Sequence, residues 1–160
     1  MERIDRILAD KEYQNYIKKN HAAEEERIFC RHNMEHFLDV ARIGWIINLE
    51  EQLDIYKEYI YAAALLHDIG RHVQYENGTS HEKASAQLAS GILERCGFAQ
   101  EETAVIVEAI QSHREASLAY RKDLAGVLYR ADKASRACFV CPVCEICTWS
   151  EEKKNLQLKY

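Results

Sequence analysis

The sequence predicts an all-α fold, a single-domain helical bundle of about six or seven helices. The 160-residue chain contains only one Pro and six Gly, so few residues interrupt helical segments. Runs of β-branched residues are scarce, and apolar side chains recur at three- and four-residue spacings in successive segments. No internal repeat or low-complexity linker divides the chain, so we expect one domain over residues 1–160.

The first three helices are predicted at about 2–19, 33–49 and 54–68. The first is polar and loosely amphipathic, so we expect it to pack across the outside of the bundle. The second has one face defined by four-, seven- and eleven-residue offsets, formed by His36, Val40, Ile43 and Ile47. The third is apolar up to Leu66 and is stopped by Gly70, which we interpret as a left-handed C-terminal cap.

Three further helices are predicted at about 80–96, 101–113 and 121–136. Thr79 and Glu82 have the spacing of a capping box, with Thr79 as N-cap of the first of them. Each helix has an apolar face that also carries a His or an Asp. These faces comprise His81, Ala84, Leu88 and Ile92, then Ile106, Ala109, Ile110 and His113, then Leu124, Leu128 and Asp132.

Polar side chains thus occupy the apolar faces at positions where a bundle normally places Leu: His36, His67, Asp68, His81, His113 and Asp132. An unpaired polar group in a core costs a few kcal/mol, so each needs a partner. One such His is usually a satisfied core residue, but a set of six on converging helices is typical of a shared metal centre. His21 and His72 we interpret as surface histidines.

The order His, His-Asp, His, His, Asp resembles the HD superfamily of metal-dependent phosphohydrolases. The matching segments are HFLDVARI at 36–43, LLHDIGR at 65–71, SHEKASAQLA at 80–89, AIQSHR at 109–114 and YRADKASR at 129–136. The resemblance spans about residues 27–137. It implies an HD-type core there, followed by a cysteine-rich C-terminal tail at 138–160.

The resemblance implies a basic ligand set of His36, His67, Asp68 and Asp132. His81 and His113 match the two extra histidines of the dinuclear branch, in which the Asp of the HD pair bridges the metals. Such a site binds one or two divalent transition-metal ions, Fe, Mn, Co, Ni or Zn, and the sequence does not select among them. The implied activity is hydrolysis of a phosphate ester or anhydride of a nucleotide or similar small molecule by a metal-activated water. A di-iron oxygenase on the same fold and a non-catalytic HD-type binding module are the alternatives.

Basic residues next to the implied ligands are candidates for phosphate contacts. Arg71 and Lys133 come first, with Arg136, Arg31 and Arg27 behind them, and solvated surface positions are the alternative. His32 lies one helical turn before His36 and is a candidate for orienting substrate or protonating a leaving group. The predicted catalytic residues are Asp68, His67, Lys133 and Arg71, and the predicted substrate-binding residues are Arg71, Lys133, Arg136 and His32.

Four cysteines follow at a strict three-residue spacing: Cys138, Cys141, Cys144 and Cys147. The Cys-x2-Cys-x2-Cys pattern resembles iron–sulfur ligation, whereas a zinc site normally draws two pairs of ligands from separated loops. An iron–sulfur cluster, a structural zinc ion, and four reduced thiols in a loop or lid beside the active site are the open alternatives.

The net charge and the absence of long apolar segments indicate which partners the protein can bind and where in the cell we expect it. With 21 Lys and Arg against 26 Asp and Glu, the formal net charge is −5, which gives no basis for binding a nucleic-acid polymer. A small phosphorylated molecule or nucleotide remains a possible partner where positive charge is concentrated locally. The N-terminal residues contain no apolar stretch typical of a signal peptide, and no segment predicts a membrane span, so we expect a cytoplasmic protein.

Overall fold

The computed structural model describes residues 1–160 and contains eight α-helices, two short 3-10 helices and no strand, which confirms the all-α prediction. The α-helices are α1 (Glu2–Ala9), α2 (Lys11–Ala23), α3 (Met34–Glu50), α4 (Lys57–Leu66), α5 (Arg71–Asn77), α6 (His81–Arg95), α7 (Gln100–Ser112) and α8 (Leu124–Ala134). The 3-10 helices are Ala116–Tyr120 and Cys138–Val140. A bilayer-spanning helix needs a long apolar stretch, and none of these helices has one.

Helix α4 is the centre of the bundle and packs against α1, α3, α6, α7 and α8. Its middle is the run Ala62, Ala63 and Ala64, whose small side chains let neighbouring helices approach closely, and all three are fully buried. Together with residues from the surrounding helices they form one cluster of 29 buried apolar residues. The C-terminal end of α4, where His67 and Asp68 follow Leu66, therefore lies deep inside the molecule.

The predicted helix over 2–19 is two helices, because the chain breaks at Asp10. Asp10 has extended backbone angles, and its carboxylate accepts hydrogen bonds from the backbone N–H groups of Glu12 and Tyr13, both at 3.0 Å. It is therefore the N-cap of α2. The break turns Ile4 and Ile7 of α1 and Tyr13 of α2 into the core, where all three are buried.

Gly70 is not the left-handed cap that the sequence predicted. Its φ is −87°, and α4 ends before it, at Leu66, while α5 begins directly after it. A Cβ at this position would lie 2.5 Å from the backbone nitrogen of Ser85 and 2.8 Å from the Cβ of Ala84. Glycine is required here because the turn between α4 and α5 lies against α6 with no space for a side chain.

The capping box predicted at Thr79 and Glu82 is also absent. The N-cap of α6 is Ser80, and the backbone N–H of Thr79 donates instead to Asn77 Oδ1 at 2.9 Å. Helix α6 therefore begins at His81, which places that imidazole at its first position.

Candidate metal centre

The end of α4 presents two buried polar atoms that have no hydrogen-bond partner, His67 Nε2 and Asp68 Oδ1. The other ring nitrogen of His67, Nδ1, lies 2.8 Å from the Ala64 carbonyl oxygen, so it donates its proton along the helix. Nε2 then faces the centre of the bundle. Buried polar atoms without partners are uncommon in native proteins, and this pair fits the donor atoms of a metal site.

One group of donors lies on the α3 and α8 side of His67. His36 Nε2 is 3.5 Å from Asp132 Oδ1, and His67 Nε2 is 3.8 Å from the same oxygen. All three residues are buried, and their donor atoms lie within 4.8 Å of one another, a spacing that can hold one ion.

A second group lies on the α6 and α7 side. His67, Asp68 and His113 also place donor atoms within 4.8 Å of one another. His113 follows α7, and its Nδ1 lies 2.6 Å from the Ile110 carbonyl oxygen, so its Nε2 is free to face the site. His81 joins this group from the start of α6, with Nε2 at 3.2 Å from Asp68 Oδ1.

The carboxylate of Asp68 lies between the two groups, with one oxygen toward each. Oδ2 is 3.2 Å from His67 Nε2 and 3.9 Å from His36 Nε2. Oδ1 is 3.2 Å from His81 Nε2 and 3.8 Å from His113 Nε2. The structure thus brings together all six residues that the sequence indicated, and it gives Asp68 the position of a bridging carboxylate. Their assignment as ligands stays a prediction.

The electrostatics of the centre favour a positive charge between the carboxylates. Although burial opposes the charged ring, Asp68 and Asp132 raise the pKa of His67 to about 9. Burial lowers the pKa of His81 to about 3 and that of His113 to about 4, so both rings are neutral near pH 7. Despite burial, neighbouring cationic groups hold the pKa of both Asp carboxyls well below their usual range. Ionised carboxylates and neutral imidazoles are the ligand forms that divalent transition metals bind. The two carboxylates, His81 and His113 already have these forms, whereas His67 would give up its ring proton to a bound ion.

Three of the predicted substrate-contact cations lie at the centre. Arg71 Nη2 is 2.5 Å from His32 Nε2 and Nη1 is 3.1 Å from His81 Nδ1. Lys133 Nζ is 2.5 Å from Asp132 Oδ2. Arg136 is buried, and its Nη2 donates to His36 Nε2 at 2.9 Å, so it competes with any metal ion for that lone pair.

The other two predicted cations lie farther out. Arg31 is exposed and its guanidinium binds the backbone carbonyls of Glu25 and Arg27. Arg27 donates to the carbonyl of Cys30 and to the Tyr75 hydroxyl. Neither contacts the six central residues.

His32 is buried beside Asp68 and is held by a residue that the sequence did not indicate, Glu24. His32 Nδ1 lies 2.6 Å from Glu24 Oε1, and His32 Nε2 lies 3.6 Å from Asp68 Oδ2. Glu24 also accepts hydrogen bonds from the His32 backbone N–H at 2.7 Å and from the Tyr75 hydroxyl at 2.9 Å. Although burial opposes ionisation, these donors lower the pKa of Glu24 to about 2.

His72 is not a surface residue as predicted. It is only 3% exposed and stacks on Tyr16, with ring centroids 5.5 Å apart. Its backbone N–H donates to Asn20 Oδ1 at 2.8 Å, and Asn20 Nδ2 donates to the Asp68 carbonyl at 2.9 Å. Asn20 of α2 therefore fixes the backbone of the turn that carries Asp68. His21 is exposed, as expected.

A cavity of about 610 Å³, counting its opening to solvent, lies between residues that contact the centre and the C-terminal tail. His32, Arg71 and Arg136 line it, and each of them contacts a residue of the centre. Five cysteines line it as well: Cys30, Cys138, Cys141, Cys144 and Cys147. The basic side chains among its lining residues give the cavity the charge expected of a site for an anionic molecule.

Comparison with known proteins gave two matches. The HD domain family matches residues 33–137, which include all six residues of the centre. An uncharacterised protein of Clostridium beijerinckii is 46% identical over 160 residues, the full length of both chains. No solved structure matches the chain.

Proposed function

The chain belongs to the HD domain family, whose members are generally metal-dependent phosphohydrolases, and we propose that it hydrolyses a phosphate ester or anhydride of a nucleotide or similar small molecule. The observation that carries this proposal is the position of Asp68, whose two oxygens face two separate groups of histidines. A carboxylate placed in this way suits a pair of divalent ions.

The metal ligands in this proposal are the six central residues. His36, His67, Asp68 and Asp132 would hold one ion, and Asp68, His81 and His113 would hold a second. Divalent transition metals bound there would supply Lewis acidity and a water of lowered pKa. Asn20 keeps the Asp68 backbone in place through its carbonyl.

The cations around the centre would bind the substrate. Arg71 and Arg136 line the cavity beside the ligands, and their guanidinium groups can donate two parallel hydrogen bonds to phosphoryl oxygens. Lys133 lies against Asp132 and adds a third positive charge. These charges offset the negative charge of the phosphoryl group and orient it toward the metal ligands.

His32, held by Glu24, would orient the substrate near the centre.

The test is a phosphate-release screen over nucleotides and phosphomonoesters, with manganese or cobalt added to metal-stripped protein. We expect Asp68→Asn to lower both metal content and phosphate release by about 100-fold or more, because the shared ligand is weakened. His21→Ala changes an exposed histidine outside the centre and serves as the matched control.

Two results would contradict the proposal. One is unchanged hydrolysis by Asp68→Asn protein that has lost its metal. The other is oxygen consumption by the iron-loaded protein with no phosphate release from any substrate, which would identify a di-iron oxygenase instead.

A further inference from the structure

The four tail cysteines, which we call the cysteine stripe, lie in a segment of successive three-residue turns. Backbone hydrogen bonds join Cys141 N to Cys138 O at 3.2 Å, Cys144 N to Cys141 O at 3.2 Å, and Cys147 N to Cys144 O at 3.3 Å. Cys141 follows the 3-10 helix with extended backbone angles, so these are successive turns and not one continuous helix. All four cysteines of this cysteine stripe line the cavity described above.

A fifth thiol comes from a distant part of the chain. Cys30 precedes α3 and lines the same cavity. Burial, together with the nearby thiols of Cys30 and two stripe cysteines, raises the pKa of Cys138. All five thiols are free. The fold therefore gathers five reduced cysteines from two segments around one space.

The spacing of the sulfurs does not suit a single metal ion. No three of them lie within 4.8 Å of one another. A tetrahedral zinc ion, with Zn–S bonds of about 2.3 Å, holds its sulfurs less than about 4 Å apart. An iron–sulfur cluster spreads its irons over several corners, so its cysteine ligands lie farther apart.

Positive charge surrounds the thiols. The same cavity is lined by Arg27, Arg71, Arg136 and Lys154. Cationic neighbours stabilise thiolates over thiols and offset the negative charge of a thiolate-bound cluster.

We propose that this cavity binds an iron–sulfur cluster, ligated by thiolates of the cysteine stripe and by Cys30, which precedes α3. In bacterial clusters the Cys-x2-Cys-x2-Cys run supplies three ligands to one cluster, and a further ligand comes from elsewhere in the chain. Cys30 has that position here. The site uses none of the six histidine and aspartate ligands, so its ligation does not depend on the proposed function, although Arg71 and Arg136 line the cavity in both.

The experiment measures iron and acid-labile sulfide in protein purified without oxygen, before and after reconstitution with ferrous iron and sulfide. We expect stoichiometric sulfide and a visible absorption that dithionite bleaches. Cys144→Ser and Cys30→Ser should each lose at least half of the sulfide. Cys96→Ala should retain it, because Cys96 is buried in the hydrophobic core outside the cavity. Circular dichroism checks that each variant keeps its helical content.

The Asp68→Asn variant distinguishes metal at the histidine–aspartate centre from iron bound by the cysteines. It should lose metal from the histidine–aspartate centre and keep the sulfide. Iron that disappears in Asp68→Asn without any acid-labile sulfide would belong to that centre and would overturn the cluster. Zinc without sulfide after reconstitution would also overturn it. A Cys30→Ser variant with the sulfide content and electron paramagnetic resonance spectrum of the parent would exclude Cys30 as a ligand.

Discussion

Asp68 is held from two directions that are independent of each other. The residue is 2% exposed and its carboxylate lies among five histidines, whereas its backbone carbonyl accepts a hydrogen bond from Asn20 of α2. A carboxylate fixed in this way loses little conformational freedom when it binds an ion, so the site is preorganised.

The ionisation of Glu24 makes the stability of the folded protein depend on pH. Its pKa is about 2 in the folded protein and 4.5 as its ordinary value, so it contributes stability that is fully present above about pH 4.5 and is lost as the pH falls through about 2. We expect Glu24→Gln to be less stable than the parent at pH 7, with the difference shrinking as the pH falls through this window. Urea unfolding at several pH values measures the difference in the free energy of unfolding between the two proteins.

Glu25→Gln is the matched control, since Glu25 is exposed. A Glu24→Gln deficit that stays constant between pH 7 and pH 3 would show that the hydrogen bonds of Glu24, and not its ionisation, are responsible.

Residues of the candidate metal centre could be recognised from the sequence where a polar side chain interrupted the apolar face of a helix. His36, His113 and Asp132 were indicated for that reason. Glu24 was not, because it lies in the charged run Glu24–Arg27 with no apolar period around it. The proximity of Cys30 to the tail depends on the folded chain path, and no local pattern in the sequence carries that information.

At the scale of helices, the turn between α4 and α5 controls how closely α6 approaches the centre. Gly70 lies against Ser85 and Ala84, and Ser85 Oγ accepts a hydrogen bond from the Gly70 N–H at 2.9 Å. This contact fixes the start of α6, where His81 lies, relative to Asp68.

We expect Gly70→Ala to destabilise the protein by about 3 kcal/mol, because the added methyl group would overlap backbone atoms of α6 that have little room to move. The matched variant is Gly91→Ala, since a Cβ there would meet only the flexible end of Arg95 at 3.3 Å. That change should be stabilising by about 0.5–1 kcal/mol, as is usual for alanine in a helix interior. Chemical denaturation compares the two, and equal effects would contradict this account.

Helix boundaries were less predictable than helix positions. Asp10 breaks the first predicted helix without any Pro or Gly to mark the break, because its side chain caps the next helix. Helix α5 has seven residues, too few for its hydrophobic periodicity to be recognised. The long periodic segments that became α3, α7 and α8 were predicted correctly because their apolar faces are buried in the core.

At the scale of the whole molecule, we expect metal binding at the centre to stabilise the folded protein. Any ion that binds the folded protein and not the unfolded chain stabilises it by about 2.7 kcal/mol at a concentration 100 times its Kd. We expect saturating manganese to raise the Tm by roughly 5–10 °C for a protein of this size, and a chelator to reverse the increase. Differential scanning calorimetry measures the shift.

Asp68→Asn should abolish the manganese-dependent shift, and His21→Ala should preserve it. A Tm that rises equally with manganese in Asp68→Asn protein would locate the stabilising ion elsewhere.

The six donors are far apart along the chain, and their spacing affects when during synthesis the centre can be completed. They run from His36 to Asp132 and come from the region of five different helices. During synthesis the N-terminal helices emerge first, and a nascent chain that already displays His36, His67 and His81 still lacks its last donor. If the six donors hold the ions as proposed, complete metal loading waits until α8 has been made and has docked, so a fully loaded centre would mark a chain that has finished folding.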